Sequence, residues 1–167
     1  ADYDSFETSW DFVKHPLLLC SNGLIKSSFS IWNAECKKRF AEMQKYEEKI
    51  NKFFIDIYDM AHYINPKIED KYISIHLADV GRDIRALISY AVGCMFGRYS
   101  LDVDGLAYAG GDWDSSKYST IIPDKDNIIP ICNDDYFDDD ITGRFVKWVE
   151  AVYGSDTLEE NLKFIAD

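Results

Sequence analysis

The chain has 167 residues, 47% of them apolar, 15% aromatic and 29% charged. This is room for one domain, which at such a size buries roughly 70% of the surface its unfolded chain exposes, and the composition excludes disordered, collagen-like and low-complexity classes. The net charge of −12 is lopsided: residues 1–100 carry 14 acidic and 13 basic side chains, residues 101–167 carry 16 and 5. The second part repels phosphate, and no basic stripe marks a self-sufficient nucleic-acid binder. Acidity of this kind keeps a protein soluble and offers a face to a basic partner.

The longest uncharged apolar stretch, Ala86–Phe96, has eleven residues, short of the roughly 18 a spanning helix needs, so no membrane partner is expected. Cys20, Cys36, Cys94 and Cys132 form no Cys-x-x-Cys pair. They are expected to be mostly buried free thiols. The absence of a basic n-region followed by an apolar run points to the cytoplasm, and a start at Ala1 to a processed chain or one cut from something longer.

In chain order, the first strong signal covers residues 24–60. Phe29, Trp32, Cys36, Phe40, Met43, Tyr46, Ile50, Phe53, Ile57 and Met60 recur at threes and fours, which predicts one long amphipathic helix. Glu35 with Arg39 and Glu48 with Lys52 are acid-before-base pairs on its solvated faces. Asn65-Pro66 is expected to stop it by about Tyr63, because proline removes a donor and disfavours the α region for its predecessor. Tyr72, Ile73 and Ile75 read as a short extended piece. Asp79 or a neighbour caps a second helix bearing Val80, Ile84, Leu87, Ile88, Ala91, Val92 and Met95, apolar enough to be central and buried. Gly93 and Gly97 lower its propensity, so each is expected to serve close packing or termination.

Residues 100–137, rich in Gly, Asp, Asn and Pro, read as an irregular acidic loop region with room for a short hairpin. Asp138, Asp139 and Asp140 stand at the start of a helix with Ile141, Phe145, Val146, Trp148, Val149 and Val152, where the dipole favours acids. Gly154 closes it. Thr157 and Glu160 form a capping box for a last helix with Leu158, Leu162 and Ile165. The fold class is mainly α: a single domain over 1–167 with a long amphipathic helix, a central buried helix and two C-terminal helices.

No catalytic, cofactor-binding or metal-binding residue is assigned. Asp134, Asp135 and Asp138–Asp140 carry carboxylates, yet Asp124 and Asp126 set on a calcium-loop template put Ile128 and Ile129 where a ligand and a glycine belong, so a capped helix start is favoured. Gly110-Gly111 lacks the spacing of a phosphate loop. His15, His62 and His76 share no helical face. Arg98, at the end of the apolar helix, is expected to be drawn inside and paired with Asp102 or Asp104, tying the Ser100–Gly111 excursion to that helix.

Ser89-Tyr-Ala-Val-Gly-Cys-Met-Phe-Gly-Arg-Tyr-Ser-Leu-Asp102, continued by Gly105-Leu-Ala-Tyr-Ala-Gly-Gly111, resembles a segment of the adenine-specific DNA methyltransferases of BREX phage-defence systems. Similar stretches follow the same order: Ser9–Phe12 with His15–Leu18, Asn51–Tyr58, Pro123–Pro130, Asp139–Phe145 and Thr157–Leu162. The resemblance implies a parent that transfers methyl from S-adenosylmethionine to adenine N6 in DNA. It carries over no catalytic residue. The family's Asn-Pro-Pro-Tyr, which grips a flipped base, has no counterpart, since Asn65-Pro66 is followed by Lys67-Ile68. The glycine-bearing turn for the cofactor is also missing. The expected partners are therefore other domains of the parent, and DNA through the intact enzyme. The expected role is a helical module between catalysis and target recognition, the alternative being a free-standing acidic module that mimics DNA or docks a basic protein.

Overall fold

The computed structural model describes residues 3–19, 22–132, 137 and 139–167. Five α-helices carry the fold: α1 (Pro16–Leu19), α2 (Ile25–Ile57), α3 (Val80–Met95), α4 (Ile141–Tyr153) and α5 (Leu158–Ala166). α3 is the central element, with Ile84, Leu87, Tyr90, Ala91, Cys94 and Met95 all buried. It packs on α4, α4 on α5, and α5 on α2, with α1 against α2. Trp148, Val149 and Tyr153 of α4 and Trp32 and Cys36 of α2 complete the core with Phe12, Leu17 and Tyr99.

α3 begins as its sequence directs. Asp79 accepts the Arg82 N–H at 2.7 Å as N-cap. Next to the cap, Asp83 is a buried carboxylate with full partners: Trp32 Nε1 from α2 at 3.1 Å, the Asp79 N–H at 3.2 Å and Arg82 Nε at 2.8 Å. A buried charge is stable only when so satisfied. At the other end Gly97, at φ 76°, is the left-handed residue of a Schellman cap: Arg98 N–H reaches Gly93 O at 2.8 Å and Gly97 N–H reaches Cys94 O at 3.1 Å.

α2 ends the same way, and earlier than Pro66 would make it. Asp59 sits at φ 53°, Met60 N–H bonds Ile55 O at 2.9 Å and Asp59 N–H bonds Asp56 O at 3.3 Å. The helix thus ends at Ile57, stopped by a local cap at Tyr58 and Asp59. Asn65-Pro66 belongs to the following return segment, where Asn65 Oδ1 accepts the Lys67 N–H at 3.0 Å. Of the two predicted helix pairs, Glu35–Arg39 forms at 2.9 Å, whereas Glu48 accepts the Ile68 N–H at 3.5 Å.

Three further expectations are corrected. Asp70–Tyr72 is a 3-10 turn, although Ile73 behind it is extended. Among the described residues there is no strand, and those of the acidic loop region form no hairpin. The groups that would have made a ladder are taken: Asp102 accepts from the Ser119 and Thr120 N–H groups at 2.8 and 2.9 Å, and Ala107 and Gly105 N–H groups go to Arg98 O and Val13 O. Thr157 makes no capping box. Its ψ of 4° turns the side chain away, and its hydroxyl donates to Gly23 O at 2.7 Å, fastening α5 to the start of α2.

Candidate functional site

Arg98 and Asp104, two of the three residues singled out in the sequence, line one open groove of about 560 Å³ together with Glu7, Trp10, Tyr99 and Leu106 among others, and Asp102 does not. The Schellman cap fixes the Arg98 backbone here, and Trp10, 98% exposed, forms the rim. Arg98 itself is exposed, which corrects the expectation of a buried ion pair. Its guanidinium lies 5.5 Å from the Tyr99 ring centroid and its Nε donates to Tyr99 Oη at 3.2 Å. Tyr99 keeps the cation protonated beyond its ordinary range.

Arg98 makes no ion pair with Asp102 or Asp104, because both carboxylates are engaged elsewhere. Asp104 faces Lys14 at 4.0 Å. Asp102 binds two backbone N–H groups and the Thr120 hydroxyl at 2.6 Å, and these bonds hold its carboxyl well below the usual range. The excursion is tied to the cap of α3 through main chain, where Ala107 N–H donates to Arg98 O at 2.9 Å, and beyond the excursion the Tyr118 Oη donates to Gly97 O at 2.6 Å. Across the groove the half-buried Glu7 accepts from Ser89 Oγ at 3.1 Å, and desolvation raises its carboxyl above the ordinary value.

One exposed arginine over a tyrosine, an exposed tryptophan and a partly desolvated glutamate can hold a polar or planar group. His15 is buried with Nδ1 accepting the Leu17 N–H at 3.3 Å, while His62 and His76 are exposed on other segments. Among the described residues no group of three or more His, Cys, Asp or Glu could hold a metal. Asp124 is neutralised by Arg144. Asp140 caps α4 through the Gly143 N–H at 2.6 Å, and Asp134, Asp135 and Asp138 lie outside the described residues, as does Cys20. Cys36 and Cys94 are buried free thiols and Cys132 is a partly exposed one. No helix among the described residues is long and apolar enough to cross a membrane.

S-adenosylmethionine does not fit the described residues. Strand–turn–helix units that present a glycine turn to such a cofactor have no counterpart, and a Cβ on Gly110 or Gly111 would meet nothing within 4 Å, so neither lines a cradle.

Two features were beyond sequence reasoning. Asn161, for which the sequence offered no signal, is buried on α5 and bonds the Ile25 N–H at the start of α2 and Gly23 O just before it. The outer half of α2 carries an exposed apolar stripe, a continuation of a periodicity that the sequence shows but whose burial it does not decide.

The chain is homologous to a segment of adenine-specific methyltransferases. It is 47% identical over 173 residues to the adenine-specific methyltransferase PglX of Lacticaseibacillus casei (strain Zhang), a match covering 99% of the chain and 14% of that protein. It is 33% identical over 192 residues to the adenine-specific methyltransferase BrxX of Escherichia coli O9:H4 (strain HS), covering all of the chain and 16% of that protein. The chain therefore spans about one-seventh of the length of these curated relatives. No protein-family model matches it.

Proposed function

We propose that the chain is the helical scaffold of a bacterial N6-adenine DNA methyltransferase of a BREX-type phage-defence system, a single unit joining the catalytic part to the part that recognises target DNA. The observation that carries this reading is a match running the length of the chain over a small share of two longer methyltransferases. Its core, continuous from α2 through α3 to α5, supports a spacing role. S-adenosylmethionine and the catalytic residues then belong to other parts of the cytoplasmic enzyme, and DNA is a partner of the whole.

The test compares the isolated chain with the full-length enzyme by calorimetric titration of S-adenosylmethionine and by methylation of DNA. We expect cofactor binding and methylation by the full-length protein only, and loss of methylation with retained cofactor binding when residues 1–167 are replaced by a flexible linker. Micromolar binding of the cofactor by the isolated chain, or methylation surviving the replacement, overturns the reading.

A further inference from the structure

The outer half of α2 has two opposite faces, and the one that should be buried is not. Gln44, Glu48, Asn51 and Ile55 follow the spacing i, i+4, i+7, i+11 and hold the return segment. Gln44 Nε2 donates to Ile68 O at 3.2 Å, Asn51 Nδ2 to Pro66 O at 3.3 Å, and Ile55 is buried. Tyr46, Ile50, Phe53 and Ile57 follow the same spacing two residues, or about 200°, further round the helix. These four are 54–61% exposed. Traced backwards at threes and fours, their stripe passes Met43 and Arg39 and reaches Cys36 and Trp32, which lie in the core. The exposed stripe is thus the core-facing side of α2 carried past the edge of the domain.

We propose that this stripe is the seat of an amphipathic α-helix supplied by the remainder of the same polypeptide. The proposal rests on reading the chain as part of a longer methyltransferase, and on the length of the relatives, of which the matched segment is only 14–16%. A 3-4 repeat of apolar side chains is the surface onto which another helix packs knobs into holes. Lys49 and Asp56 flank the seam one position before Ile50 and Ile57. The docking helix accordingly carries Leu, Ile, Val or Phe at the same repeat, with an acid facing Lys49 and a base facing Asp56.

Area decides between this occupant and a second copy of the chain. An aromatic side chain buries roughly 150–250 Å², so four half-exposed side chains offer on the order of 400 Å² on one side. A stable free complex needs about 800 Å² per partner. An intramolecular partner at millimolar effective concentration needs less.

The experiment places the photo-cross-linker benzoylphenylalanine at Phe53 in the full-length protein encoded by the gene, an aromatic replacement at an exposed position. Photolysis and peptide mass spectrometry should join residue 53 to sequence outside 1–167, with the product running at the mass of one polypeptide. The same probe at Lys52, off the seam, should give no such product. Products at twice the mass, products confined to residues 1–167, or no product overturn the docking proposal while leaving the methyltransferase reading intact. A gene that encodes nothing beyond these residues overturns both.

Discussion

The backbone N–H of Ile25, the first residue of α2, donates to Oδ1 of Asn161 at 2.8 Å, 136 positions along the chain. The amide's Nδ2 completes the clasp by donating to Gly23 O at 2.9 Å. Leu24, the N-cap of α2, has no side-chain hydrogen bond to give, so the helix is capped from α5. Replacing Asn161 by Leu leaves the buried Ile25 N–H unmet, at about 1–3 kcal/mol, while Gly23 O keeps the Thr157 hydroxyl. Denaturant unfolding should therefore show a loss above about 1 kcal/mol, with Asn161→Asp, which keeps the acceptor for Ile25, less destabilised. A loss under about 0.5 kcal/mol, as at ordinary surface positions, would remove Asn161 from this role.

Gly93 is pressed by Tyr99. A Cβ at position 93 would lie 2.6 Å from Tyr99 Cδ2, and that ring is held by stacking on Tyr90 at 4.9 Å and by the edge of Phe12 at 5.5 Å. Alanine gains up to about 1 kcal/mol of helix propensity over glycine, whereas overpacking a core costs about 1–3 kcal/mol. Because Tyr99 cannot give way, the second effect wins. Gly93→Ala should lower the melting temperature, and a rise would show that the ring moves freely.

Arg98→Ala should cost the isolated chain less than about 1 kcal/mol, the range of exposed charged contacts. Its exposed guanidinium has Tyr99 as hydrogen-bond partner and Glu7 as a charge across the groove, and the carbonyl that anchors the excursion survives the substitution. A larger loss in denaturant unfolding would restore a structural role for the side chain.

Acid stability should show two windows. Burial pushes His15 from 6.5 down to about 3, so the folded state holds it neutral while the unfolded chain binds a proton below 6.5. Stability from this residue is complete above pH 6.5 and falls as pH drops towards 3, by at most about 1.4 kcal/mol per pH unit. Asp102 acts lower. Its depressed carboxyl contributes stability above its ordinary value of 3.8, lost as pH falls below it. Melting curves between pH 7 and 4 should flatten in His15→Gln relative to the unsubstituted chain, with no flattening in Asp102→Asn. An unchanged slope in His15→Gln would mean that position 15 admits a proton when folded.

Local signals in the sequence determined the four longer helices and their order, while the short α1 (Pro16–Leu19) carried none. Apolar periodicity set α2, α3 and α4, Asp79 and Asp140 wrote their own caps, and Gly97 its own stop, because each acts within one turn of itself. Arg98 and Thr157 were misjudged for the converse reason. Both looked for partners nearby, while Asp102 had gone to Ser119 and Thr120, and the Thr157 hydroxyl to Gly23. Such choices depend on which segments the packing brings together. The same holds for α2, where one unbroken stripe is core at Trp32 and Cys36 and open surface at Phe53 and Ile57. Periodicity says which side of a helix is apolar; only the tertiary structure decides how far along that side the domain reaches, since burial depends on elements far away in the chain.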